Sequence, residues 1–159
     1  MLLQAKKRCA ALVLLLGLPL SGCTDLPAAL SVASATKPSI SLDWKEFYQF
    51  PVGPKGLEPS AKLLSLANQR VRLRGYWVQE EEPEAGMFML APLPVDLAEK
   101  EDGPADDLPP STVFVHLPAN ERQTVLSHRP GLWELEGKLV LGNQDEAGGR
   151  VSYVRLLLD

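Results

Sequence analysis

The chain has 159 residues, 45% of them hydrophobic, and a formal net charge of −4. Those values fit one modest globular domain with some extra length. The acidic balance excludes the basic footprint that nucleic-acid binding needs and a polybasic membrane-surface patch.

The first element in chain order is a secretory leader. Lys6, Lys7 and Arg8 form a positive start, and "AALVLLLGLPL" (Ala10 to Leu20) is an apolar run. Its length suits the ~7–15 residues of a signal segment and falls short of the ~20 that span a bilayer. Pro19 ends a helix near that point, and the small residues Ser21 and Gly22 provide a cleavage site. The stretch Leu20-Ser21-Gly22-Cys23 resembles the lipobox of bacterial lipoproteins. That resemblance implies removal of residues 1–22 and acylation of Cys23, which becomes the first mature residue. Each buried methylene contributes ~0.8 kcal/mol, so more than one chain gives a lasting membrane anchor. Thr24 follows, with Asp25 one place later. In enterobacterial lipoproteins an aspartate directly after the cysteine resembles an inner-membrane retention signal. Its absence here implies a periplasm-facing domain on the outer membrane rather than the inner.

Cleavage after residue 22 leaves 13 basic against 20 acidic residues, a net of −7. The only cysteines are Cys9 and Cys23, so a mature chain has no internal disulfide and rests on its core.

Residues 23–40 form the lipidated tether. "TDLPAALSVASATKPSI" is rich in Ala, Ser, Thr and Pro without a period, and reads as a coil spanning about 20–25 Å. The folded domain is assigned to residues 41–159. It opens with Trp44, Phe47, Tyr48 and Phe50 packing on the body, and Pro51 and Pro54 stop any helix. A helix is expected over Glu58 to Ala67, with Leu57, Leu63, Leu64 and Leu66 on its buried side and Pro59 in its first turn.

Five strands follow. In "VRLRGYWVQ", Val71 and Leu73 alternate with Arg72 and Arg74, and Gly75 marks a bulge or bend. "GMFMLAP" and "STVFVHLP" are the second and third. "GLWELEGKLVLG" is the fourth, with Trp133, Leu135, Gly137, Leu139 and Leu141 on one face. "RVSYVRLLL" is the fifth, placing Val151, Tyr153 and Arg155 on one side and Val154, Leu156 and Leu158 on the other. The pattern predicts a mainly β fold. It is a small five-stranded, OB-like, partly open barrel with a short helix before its first strand; a β-sandwich is the alternative.

The stretches "GLEPSAKLLSLANQRVRLRGYWV", "MFMLAPLPV", "GPADDLPPSTVFVHLP" and "GRVSYVRLLL" give Phe47 to Leu158 a resemblance to an uncharacterised group of bacterial periplasmic or lipoprotein domains. The resemblance implies an OB-like barrel outside the cytoplasm, and the group has no established activity to carry over. Some relatives carry a cysteine and histidine before the proline-rich stretch. This chain has no cysteine there, so no thiolate metal site is carried over.

Candidate chemistry is sparse. His116 and His128 are the only histidines, and their spacing demands no zinc site. No nucleophile elbow, P-loop or dinucleotide fingerprint occurs, so the expectation is a non-catalytic domain with no cofactor and no metal. The loop from Asp96 to Pro110 carries Asp106 and Asp107 before Pro109-Pro110, and reads as a solvated connection or a docking loop. Tyr76 and Trp77 beside Gly75 are the candidate aromatic contacts, with core packing as their other role. The expected function is a lipid-anchored envelope domain that binds a protein partner or assists an envelope assembly. The alternative is an accessory lipoprotein that binds a small ligand or a divalent cation.

Overall fold

The structure is a computed structural model that describes residues 38–97 and 108–159. Cys23, Asp106 and Asp107 lie outside the described residues. The strands are β1 (Ile40–Ser41), β2 (Arg70–Trp77), β3 (Met87–Ala91), β4 (Val113–His116), β5 (Leu132–Asp145) and β6 (Val151–Leu157). A short helix, α1 (Ala61–Ser65), precedes β2.

Strands β2 to β6 follow one another around a ring in the order β2-β3-β4-β6-β5, and β5 returns to β2. Every contact in the ring is antiparallel except that of β4 with β6. Closure is partial. β2 and β3 pair only at Tyr76 with Ala91 and Trp77 with Leu90, whereas β2 and β5 pair without a break from Arg70 with Lys138 to Tyr76 with Leu132. This is the expected OB-like, partly open barrel, built from one sheet, so the sandwich alternative does not apply. A sixth strand was not legible. β1 runs parallel to β2 at Val71 and Arg72, so Ile40, assigned to the tether by its sequence, is already part of the sheet. Its two residues are both exposed and have no period to read.

The alternation of β2 and β5 follows from a barrel wall with one face inside. Val71, Leu73, Leu139, Val154 and Leu156 fill the interior with Phe47, Leu63, Phe88 and Val115. β3 is buried on both faces, which is why "MFMLA" shows no alternation. Phe88 and Leu90 point into the barrel. Met87, Met89 and Ala91 join Val78 and Phe114 in an outer cluster covered by Val95, Leu97 and Leu108. The start of the acidic loop is therefore packed. Gln79 N donates to Val95 O, and Leu97 N donates back to Gln79 O, at 2.9 and 3.0 Å.

β2 passes through Gly75 with its pairing to β5 intact. The glycine serves close approach rather than a bulge. A Cβ there would lie 2.7 Å from Trp44 Cζ2 and 2.8 Å from the Ala91 carbonyl oxygen. The bulge is in β5 instead, where the register against β6 shifts between Leu141 and Gln144.

The helix is shorter than its sequence signal. Ser60 is the N-cap, its Oγ accepting from Leu63 N at 2.9 Å, so Pro59 lies before the helix and not in its first turn. Leu63 and Leu66 are buried, but Leu57 and Leu64 are exposed. One turn and a half presents a face too narrow for all four.

The outer face of β2 and β5 carries a charge ladder. Arg72 Nε donates to Glu136 Oε1 at 2.7 Å, Ser39 Oγ donates to the same oxygen at 2.8 Å, and Arg74 lies 3.6 Å from Glu134. Arg70 Nε is 3.7 Å from Glu136, too far for a hydrogen bond. The Arg72 hydrogen bond, then that of Ser39, holds the Glu136 carboxyl below its ordinary range. A depressed carboxyl stabilises the fold above its unfolded value, and that contribution is lost as pH falls through the folded value. The urea midpoint is thus expected to drop between about pH 5 and pH 3, with a shallower drop in Glu136→Gln. Because the pair is at the surface, the difference is small. Identical acid profiles for the two chains would contradict the assignment.

Candidate functional site

The antiparallel and parallel neighbours of β6 put one outward row across the barrel. Phe114 of β4 and Val140 of β5 flank Arg155, while His116 and Lys138 flank Leu157. Beyond this row, the end of the β2–β3 loop at Ala85 and Gly86 faces the 3-10 turn Ala119–Glu121 and Arg122. Between them lies a groove of about 530 Å³. Its floor is apolar, with Met87, Leu117, Val140 and Leu157. Its polar walls are His116, Arg122, Gln144 and Arg155, and none of the described lining residues is acidic.

Behind the groove is a buried polar chain. Arg155 Nη1 donates to the Gly142 carbonyl at 2.7 Å and to Ser152 Oγ at 2.9 Å. Ser152 Oγ in turn donates to Glu146 Oε1 at 2.5 Å. His116 Nε2 lies 3.3 Å from the same oxygen. A carboxylate only accepts, so a hydrogen bond between the two requires the tautomer of His116 that carries its proton on Nε2. Glu146, Ser152 and Arg155 are all buried. The β5 bulge makes this possible by turning the Gly142 carbonyl toward Arg155, and the turn after Asp145 brings Glu146 back over β6.

The arrangement orients and neutralises. It does not assemble a nucleophile and base, because the histidine reaches the carboxylate rather than the serine, and Ser152 has no exposed surface. Its effect is to fix the guanidinium of Arg155 and the ring of His116 at the groove wall. Rigid donors of this kind bind anions without a large ordering cost.

The sequence-derived candidates are placed differently. Tyr76 and Trp77 are neighbours in β2 and therefore point to opposite faces. They do not form one aromatic platform. Trp77 is buried, 4.4 Å from the Phe88 ring and 5.7 Å from Trp133, and His128 Nε2 contacts its carbonyl at 3.2 Å. Tyr76 is half-buried outside. The described end of the acidic loop is tied down by Tyr48, whose hydroxyl donates to the Pro110 carbonyl at 2.5 Å. Burial, then Tyr153, pushes the Tyr48 phenol up. Among the described residues no three His, Cys, Asp or Glu side chains gather to hold a metal ion.

Glu146, Ser152, Gln144 and Arg122 were not singled out by the sequence. One signal was available: Arg155 is the lone charge inside the apolar run "YVRLLL".

No family model matches this chain, and no curated protein matches it. A solved structure of a DUF3299 family protein from Pseudomonas aeruginosa is similar over 76% of this chain and 92% of its own, at 16% identity and a TM-score of 0.45.

Proposed function

We propose that this chain is a lipid-anchored, non-catalytic domain of the bacterial envelope whose groove receives an anionic, partly apolar segment of a protein partner. Cys23 carries the lipid, the stretch between it and β1 gives reach, and Arg122, Arg155 and His116 meet the partner's carboxylate. The observation that carries the reading is the groove's lining. In an acidic chain, two arginines and a histidine border an apolar floor whose lining holds no acidic residue among the described ones, and the carboxylate behind His116 and Arg155, Glu146, is buried. Fold analogy supports the location. Barrels of this type bind ligands on the face of their second and third strands and on flanking loops, and here Met87, His116 and Ala147 occupy those positions. The lipobox-like Leu20-Ser21-Gly22-Cys23 supports the anchor.

A photo-crosslinking residue at exposed Ala119, in the full chain in living bacteria, tests the groove. A discrete crosslinked protein is expected, reduced roughly tenfold or more by Arg122→Glu, since reversing a charge at an interface costs several kcal/mol. Arg122 is exposed, so the fold tolerates the change. A product that is insensitive to Arg122→Glu, or one formed equally from Lys62 on α1, contradicts the reading.

A further inference from the structure

Between β1 and α1 the chain rises into a narrow protrusion. Tyr48 pairs with Pro59 at its base, Gln49 N donates to Glu58 O at 2.9 Å, and Gly53 pairs with Gly56 at its tip. All eight residues from Phe50 to Leu57 are exposed. Phe50 is 72% exposed, Val52 53% and Leu57 38%. A Cβ added to Gly53 or Gly56 would meet nothing within 4 Å, so the tip stands clear of the barrel. The stretch "FPVGPKGL" has one charge, Lys55, and no acidic residue, in a chain whose net charge is negative.

We propose that this tip is a membrane-contact element: Phe50, Val52 and Leu57 enter the boundary between headgroups and acyl chains, and Lys55 meets lipid phosphate. Three features favour lipid over a protein partner. The tip is a free-standing point that lines none of the described grooves, and a fluid surface needs no matching cavity. Its apolar side chains flank the glycine-proline turn on both sides, so they enter an interface together. Its single cation complements an anionic surface, which the acidic remainder of the chain does not. A weak apolar contact also suits a chain with a second attachment, since stable membrane binding takes two signals. The proposal rests on the anchor at Cys23 for proximity and is independent of the groove.

The test uses the full chain, purified from bacterial membranes and reconstituted in phosphatidylethanolamine–phosphatidylglycerol vesicles. Phe50→Trp adds a reporter to the three native tryptophans, and the parent chain supplies the background. Sedimentation with vesicles reads the anchor. Emission from residue 50 reads the tip. Blue-shifted added emission, quenched roughly twofold or more when the acyl chains are brominated, is the expected result. Sedimentation with added emission that stays water-like and unquenched overturns the tip assignment and leaves the anchor intact. Absence of both signals overturns the tip and the anchor together. A blue shift that requires added envelope proteins, and not lipid, also overturns it.

Discussion

Gly86→Ala is expected to destabilise the domain by about 3 kcal/mol or more. Two effects combine at this position. Gly86 has φ +76, and a residue with a Cβ in the left-handed region costs roughly 1–2 kcal/mol. The added Cβ would also lie 2.3 Å from the Arg122 carbonyl oxygen and 2.8 Å from Arg122 Cα. Those are backbone atoms, so no rotamer change relieves the overlap. The two chain segments are also joined there. Gly86 N donates to Thr124 O at 2.8 Å, and Leu117 N donates to Gly86 O at 2.9 Å. Separating them opens the groove at the Arg122 wall. The melting temperature is expected to fall by roughly 10 °C or more. Gly53→Ala is the control, because nothing lies near its Cβ position and a surface change of this kind stays within about 0.5 kcal/mol. Equal melting temperatures for Gly86→Ala and the parent would contradict the geometry of this junction.

Arg155→Leu is expected to cost roughly 2–4 kcal/mol, although leucine is the commoner residue type in a buried strand. The substitution removes the donor to Gly142 O and Ser152 Oγ while the buried Glu146 carboxylate remains. Replacing every polar member of such a cluster by apolar groups can be neutral, but removing one member leaves the others desolvated. Ser152→Ala breaks the same chain at its middle and is expected to cost about 1–3 kcal/mol. The double variant should cost less than the sum, because each change disables the same link. Urea unfolding of the four chains measures this. Additive losses, or an Arg155→Leu chain as stable as the parent, would show that the cluster does not act as a unit.

What the sequence made legible follows from the range of the interactions. β5 and β2 were readable because each has one face in the barrel and one outside, which writes a period of two into "GLWELEGKLVLG" and "VRLRGY". β3 was readable as a strand, but its covered outer face was not, since Val95 and Leu97 come from a loop with no period. The helix was overextended because Leu57 and Leu64 match a helical spacing that the Ser60 cap and a five-residue length do not use. Adjacent Tyr76 and Trp77 looked like a pair in the text, and the strand separates them to opposite faces. The polar chain behind the groove was invisible for a different reason. His116 and Glu146 are thirty positions apart and meet only because β4 and β6 run side by side. Ser152 and Glu146 meet only because the turn between them folds back.

The anchor at Cys23 is the premise on which the envelope location, the reach of the tether and the membrane tip all depend. The intact mass of the chain recovered from bacterial membranes tests it most directly. A mature chain that begins at Cys23 and carries the added mass of diacylglyceryl and further acyl groups is the predicted result. A chain that still begins at Met1, or one that begins at Cys23 with an unmodified thiol, would contradict it.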